Sequence, residues 1–157
     1  MDKIYREFFD YAKPIIKDPR YQAMKKFIHH GNTSLYRHSV MTAFIAFKKG
    51  KKKKRIDMES LVKGALLHDY FLYDWHVLEG RKRLHGFRHP WIAASNAIRD
   101  FNVNKKVVGI IQTHMWPLTF YYPPHSREAW IVAHADKIAT HIDMKRKRKL
   151  RRRKNLL

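Results

Sequence analysis

The sequence predicts an all-α domain. Apolar residues recur every three to four positions in successive stretches, capping residues stand at the starts of those stretches, and no strand alternation or internal repeat is visible. Ile4, Phe8, Tyr11 and Ile15 share one face of a helix over residues 2–17, which Pro19 ends. A short helix is expected over residues 21–28. Gly31, Asn32, Thr33 and Ser34 form a turn cluster, after which residues 38–47 read as a largely apolar helix closed by Gly50. Residues 51–55 then make a solvated connection.

Asp57 caps the next helix, in which Leu61, Ala65 and His68 share a face, so His68 looks inward. Gly80, Gly86 and the basic residues 81–83 mark a loop. Pro90 suits the first turn of a further helix carrying Ile92, Ala97, Ile98 and Phe101. Asn104 caps another, where Val107, Ile110, Ile111 and His114 line one face and Pro117 stops the helix within a turn of His114. After a loop at residues 121–124, Ser126 caps a last helix through Trp130, Ala133 and Lys137 that runs on toward a basic tail.

A chain of 157 residues with 45% hydrophobic and 13% aromatic content buries a substantial core in one domain. That domain is expected to span residues 1–144, with 145–157 as a basic tail. The formal charge of +21 favours contact with phosphates and other polyanions. Most of it is local. Lys48 to Arg55 and Lys145 to Lys154 carry so much of it that the rest of the chain is only mildly basic. Either run offers a non-specific nucleic-acid contact, although neither interleaves aromatics for base stacking. No cysteine is present, which excludes disulfides and thiolate ligands and leaves histidine and carboxylate as the donors for any metal. The first twenty residues are charged throughout, and apolar runs such as 107–111 are too short to span a bilayer, so a cytoplasmic protein without membrane association is expected.

Eleven histidines exceed what composition accounts for. His29, His30, His125 and His141 read as surface or loop residues, and His76, His85 and His134 as partners behind a site or as bystanders. The informative series is His38, the His68-Asp69 pair, His89, His114 and Asp136, because each falls on or at the end of a helix whose apolar face points inward. Imidazole and carboxylate suit divalent Fe, Mn, Zn or Ni, and a buried cluster of them is costly without a cation. Adjacent residues of one helix project about 100° apart. His68 and Asp69 therefore reach a common site only by flanking the inward direction.

In the phrase GALLHDYFLYDWH, with His38 upstream and His89, His114 and Asp136 downstream, the series resembles the HD superfamily, whose metal signature is a His, an adjacent His-Asp and a distant Asp on separate helices. The resemblance covers roughly residues 35–140 and implies a compact helical bundle with a metal site between helices. It implies one ion at His38, His68, Asp69 and Asp136, with Asp69 bridging to a second at His89 and His114. The phrases HDYFLYDWH, HGFRHP and HMWPL look most like small stand-alone bacterial members. The cyclic-dinucleotide phosphodiesterases of the superfamily carry a lysine three residues after the HD aspartate and a Gly-Tyr-Pro signature. Here Leu72 and Met115-Trp116-Pro117 stand instead, which disfavours cyclic di-GMP.

The chemistry expected of such a pair is hydrolysis of a phosphate ester in a nucleotide or other phosphorylated small molecule. Asp69 and His68 are the catalytic core of that reading. Arg88, beside His89, and Lys137, beside Asp136, are candidates to bind substrate oxygens. Arg37 is a weaker one, and Tyr73, Trp75 and Trp116 are candidates to stack a base. Two other classes share these features: a di-iron oxygenase of the same superfamily, and a non-catalytic nucleic-acid-binding protein that uses its basic runs.

Overall fold

The computed structural model of the chain describes residues 2–30, 33–73 and 85–154. Helix α1, Lys3–Ile16, buries Phe8, Ala12 and Ile15 on the face expected from their spacing, and Asp2 caps it by accepting from the Ile4 N–H at 3.3 Å. Pro19 does more than end this helix. Its fixed φ suits a first helical position, and it opens α2, Pro19–Gln22, under an Asp18 cap. A 3₁₀ turn, Ala23–Lys26, follows. The helix expected over residues 21–28 is thus broken in two and stops short of Phe27.

Strands are present where none was expected: β1, Ile28–His30, pairs antiparallel with β2, Thr33–Ser34, with Ile28 opposite Ser34. Runs of two and three residues are too short for period-two patterning to show. Ser34 then caps α3, Leu35–Gly50, accepting from the Arg37 N–H at 3.3 Å, so this helix starts before the expected His38. Gly50 is its last residue. Close approach of a neighbouring helix calls for glycine at this position: a Cβ on Gly50 would lie 2.5 Å from Leu61 Cδ2 and 3.0 Å from Met58 Sδ, both on α4, Met58–Leu67.

Asp57, Asn104 and Ser126 cap α4, α6 (Lys105–Thr113) and α7 (Arg127–Lys154) as expected, accepting from the N–H groups of Ser60, Val107 and Ala129 at 3.0–3.1 Å. Helix α5 is His85–Phe101. Gly86 therefore lies inside a helix rather than in a loop, and Pro90 lies beyond the first turn. Gly31, Asn32, Trp75, His76, Gly80 and residues 81–83 fall outside the described residues.

Helix α3 packs chiefly on α4 and α7, while α6 packs on α4 and α5. Phe47, Leu61, Leu66, Leu67, Ile110 and Ile111 are fully buried between them. Small residues Ala129, Ala133, Ala135 and Ala139 bring α7 close to its neighbours. Beyond Asp143 the same helix runs on to Lys154, and the basic residues from Lys145 to Arg152 are exposed. Among the described residues, no helix is long and apolar enough to cross a membrane.

Candidate metal centre

His68 is the C-cap residue of α4, and Asp69 follows it as the chain leaves the helix. Two tight turns, Tyr70 N–H to the Leu67 carbonyl and Phe71 N–H to the Asp69 carbonyl, redirect the backbone there. Tyr70 is then anchored to α5: its hydroxyl donates to Asp100 Oδ2 at 2.9 Å, and its carbonyl accepts from Asn96 Nδ2 at 3.1 Å. This break from helical geometry lets two adjacent side chains face the same interior, and His68 and Asp69 are 0% and 2% exposed. His114 occupies the same place on α6, as its C-cap residue. The negative ends of two helices therefore converge on one spot, which favours a cation.

The imidazoles are held in one orientation. Nδ1 of His68, His89 and His114 donates to the carbonyls of Ala65, His85 and Ile111 at 2.7, 3.0 and 2.6 Å. Carbonyl oxygens only accept, so each Nδ1 carries the proton and each Nε2 of a neutral ring presents a lone pair. His38 Nδ1 is 2.9 Å from Asp143 Oδ2, whose other oxygen accepts from Thr33 Oγ1 at 3.1 Å. A carboxylate or carbonyl behind each inward-facing ring is the arrangement that fixes histidines where they bind metal.

The inward-facing atoms form two groups joined by Asp69. His38 Nε2 lies 3.0 Å and His68 Nε2 3.6 Å from Asp136 Oδ1, and these nitrogens lie 3.9 and 3.3 Å from Asp69 Oδ2. On the other side, His89 Nε2 and His114 Nε2 are 2.9 Å apart and lie 3.1 and 3.5 Å from Asp69 Oδ1. Donors about 2.1 Å from an ion stand roughly 3.0–3.4 Å from one another at octahedral or tetrahedral angles. All but the 3.9 Å separation of His38 Nε2 from Asp69 Oδ2 lie within about 0.2 Å of that range. Two lone-pair nitrogens facing each other at 2.9 Å repel unless a cation or proton lies between them, and His68 Nε2 and Asp69 Oδ1 are buried with no hydrogen-bond partner among the described residues. The donor set is one that could hold a divalent metal.

Charge within the cluster points the same way. Burial lowers the His38 and His68 pKa values, but the carboxylates more than offset it: hydrogen bonds donated to Asp136 and Asp143 raise His38, and Asp69 with Asp136 holds His68 well above the usual imidazole range. Burial would raise Asp69 and Asp136, yet His68 and His29 hold the first, and His38 and His68 the second, well below the usual carboxylate range. Burial lowers His114. The carboxylates are thus ionised and ready to hold positive charge.

Asp69, His89, His114 and Asp136 line a cavity of about 570 Å³ walled by Met115 and Leu118. Lys137 stands at its edge, donating to the carbonyls of Trp116 at 2.5 Å and Ala133 at 3.0 Å, with burial lowering its pKa. It also borders a larger groove of about 1060 Å³ lined by Lys48, Lys49, Trp116 and Trp130. That groove has no cluster of metal donors among the described residues. Arg88 is exposed and does not line the cavity, whereas Tyr73 is half-buried with its hydroxyl 3.4 Å from His85 Nδ1. Trp116 stacks edge-on against Trp130.

Three residues escaped the sequence reading. His29 is not a surface residue: its side chain is 12% exposed, its Nε2 lies 3.4 Å from Asp69 Oδ2, and its ring packs on His38. Thr33 and Asp143 back His38 as described. For Asp143 a signal existed, since it stands two helical turns after Asp136 and so shares its face. Asp143→Asn should leave His38 in place but replace a charged acceptor by a neutral amide. We expect metal affinity to fall about 10–100-fold, read by chelator competition, with little change in helix content by circular dichroism.

A family model described as the HD domain matches residues 35–141. No curated protein and no solved structure matches the chain.

Proposed function

The chain belongs to the HD domain family, and from that premise we propose that it is a metal-dependent hydrolase of phosphate esters, acting on a nucleotide or another phosphomonoester or phosphodiester. The observation that carries this reading is the position of Asp69, whose two oxygens face two separate sets of donors. His38, His68 and Asp136 with Asp69 Oδ2 would hold one ion, and His89 and His114 with Asp69 Oδ1 a second. An ion pair of this kind supplies hydroxide at neutral pH and polarises a phosphoryl group. All-nitrogen and oxygen ligation suits Fe, Mn, Zn or Ni.

The chain's own residues account for the rest. The Lys137 ammonium at the cavity edge would bind phosphate oxygens, and Met115, Pro117 and Leu118 would offer an apolar wall to the organic part of the substrate. A volume of about 570 Å³ falls in the range of small-molecule sites, roughly 300–1,000 Å³. Arg88, exposed outside this cavity, would reach only a substrate that extends beyond it. The exposed basic runs would add a sequence-independent attraction for nucleic acid.

The test is a panel of nucleotides, phosphomonoesters and phosphodiesters presented to protein loaded in turn with each of the four metals, with and without oxygen. Phosphate or nucleotide release independent of oxygen is expected. Turnover that needs dioxygen and iron and releases no phosphate would instead establish the oxygenase reading.

A further inference from the structure

We propose that His29 is an additional protein ligand of the ion held by His38, His68, Asp136 and Asp69, and that it closes that ion's face toward the cavity. The inference rests on the metal-centre reading above. It concerns a residue upstream of the family match, which begins at residue 35.

Three observations carry it. His29, His38 and Asp69 each offer an atom within 4.8 Å of the others, so His29 Nε2 lies among the donors of the first position. Its 3.4 Å distance from Asp69 Oδ2 matches the 3.3 Å of His68 Nε2 from the same oxygen. Moreover, its placement is imposed by structure. The ring lies against His38, with centroids 4.2 Å apart, and the hairpin that carries it is tied through Thr33 Oγ1 to Asp143, the carboxylate that also holds His38. Register in β1 and β2 therefore sets both the ligand and the support of its neighbour.

The consequence is asymmetry between the two positions. Of the first position's donors, His38 and His68 are fully buried and absent from the cavity lining, whereas His29, Asp69 and Asp136 line it together with His89 and His114 of the second. With His29 ligating, the first position has five protein donors and one place left in a six-coordinate shell. The second position has three donors and faces the open cavity, so substrate oxygens are captured there.

The test uses the full chain in a His89→Ala background, which removes a ligand of the second position, and cobalt(II) as the probe. Cobalt binding that survives in this background but is absent in His68→Ala establishes the first position on its own terms; no cobalt binding in the unmodified chain would sink the parent reading instead. Adding His29→Ala should then weaken cobalt binding at least tenfold by chelator competition and shift the visible absorption bands. Free imidazole should restore the bands by filling the vacated space. Thr33→Val should give a smaller loss that imidazole does not repair. If His29→Ala fails to fold, His29→Gln, which keeps most of the side-chain volume, carries the same measurement. Affinity within about twofold of the parent and superimposable spectra would overturn the proposal, as would a loss that imidazole leaves untouched.

Discussion

Asp69→Asn should empty both metal positions and reduce turnover below detection. Asparagine is nearly the same size and shape, so the substitution isolates charge. The cluster would keep its four imidazoles at His38, His68, His89 and His114 but lose the carboxylate whose oxygens face both groups. Neither position would then retain enough negative charge: the first would keep Asp136 and the second no anion from the residues described around it. Metal content after dialysis, measured beside phosphate release, checks this. One ion retained with partial activity would mean that Asp69 does not bridge. By contrast His114→Ala should spare the first ion and remove the second.

Gly64→Val should destabilise the fold by about 3 kcal/mol and weaken the second position with it. Gly64 lies one turn before His68 on α4, where α6 crosses. A Cβ there would lie 2.6 Å from Ile110 Cγ2 and 2.9 Å from Ile110 Cβ, so relief requires the two helices to separate. Overpacking of this kind costs about 1–3 kcal/mol, and the two methyl groups of valine put the change at the upper end. Alanine would recover about 1 kcal/mol in helix propensity and lose less. Since α4 carries His68 and Asp69 and α6 carries His114, separation lengthens the 3.5 Å distance between His114 and Asp69 before it affects His38. Gly109→Ala on the same α6 is the control. Nothing lies within 4 Å of its added Cβ, so a stabilisation of about 1 kcal/mol is expected. Denaturant midpoints of the three proteins measure both effects, and a Gly64→Val midpoint equal to that of the parent would remove the basis of the argument.

The sequence was legible wherever a local rule acted alone. Asp57, Asn104 and Ser126 each accept from the N–H three residues on, as caps must, and the inward face of Val107, Ile110 and Ile111 follows from spacing. The side chains of the expected series, His38, His68, Asp69, His89, His114 and Asp136, come together in the interior. What failed depends on tertiary context. His29 looked like a loop residue because a two-stranded hairpin of five residues has no pattern to detect, and its burial is set by α7, over 100 positions away through Asp143. Gly86 and Pro90 read as punctuation, yet both lie within α5. Pro90 removes one backbone donor from α5 and is itself buried.

The donors that meet at Asp69 are far apart along the chain, with His38 and Asp136 separated by 98 positions. An unfolded chain cannot assemble them, so whatever free energy the ions release on binding is added to the stability of the native state alone. By mass action, metal at about 100 times its dissociation constant would contribute about 2.7 kcal/mol, comparable with the whole cost of overpacking Gly64. On the metal-centre reading, the melting temperature of this protein would depend on its metal supply as much as on its core, and a chelator would act on it as a denaturant.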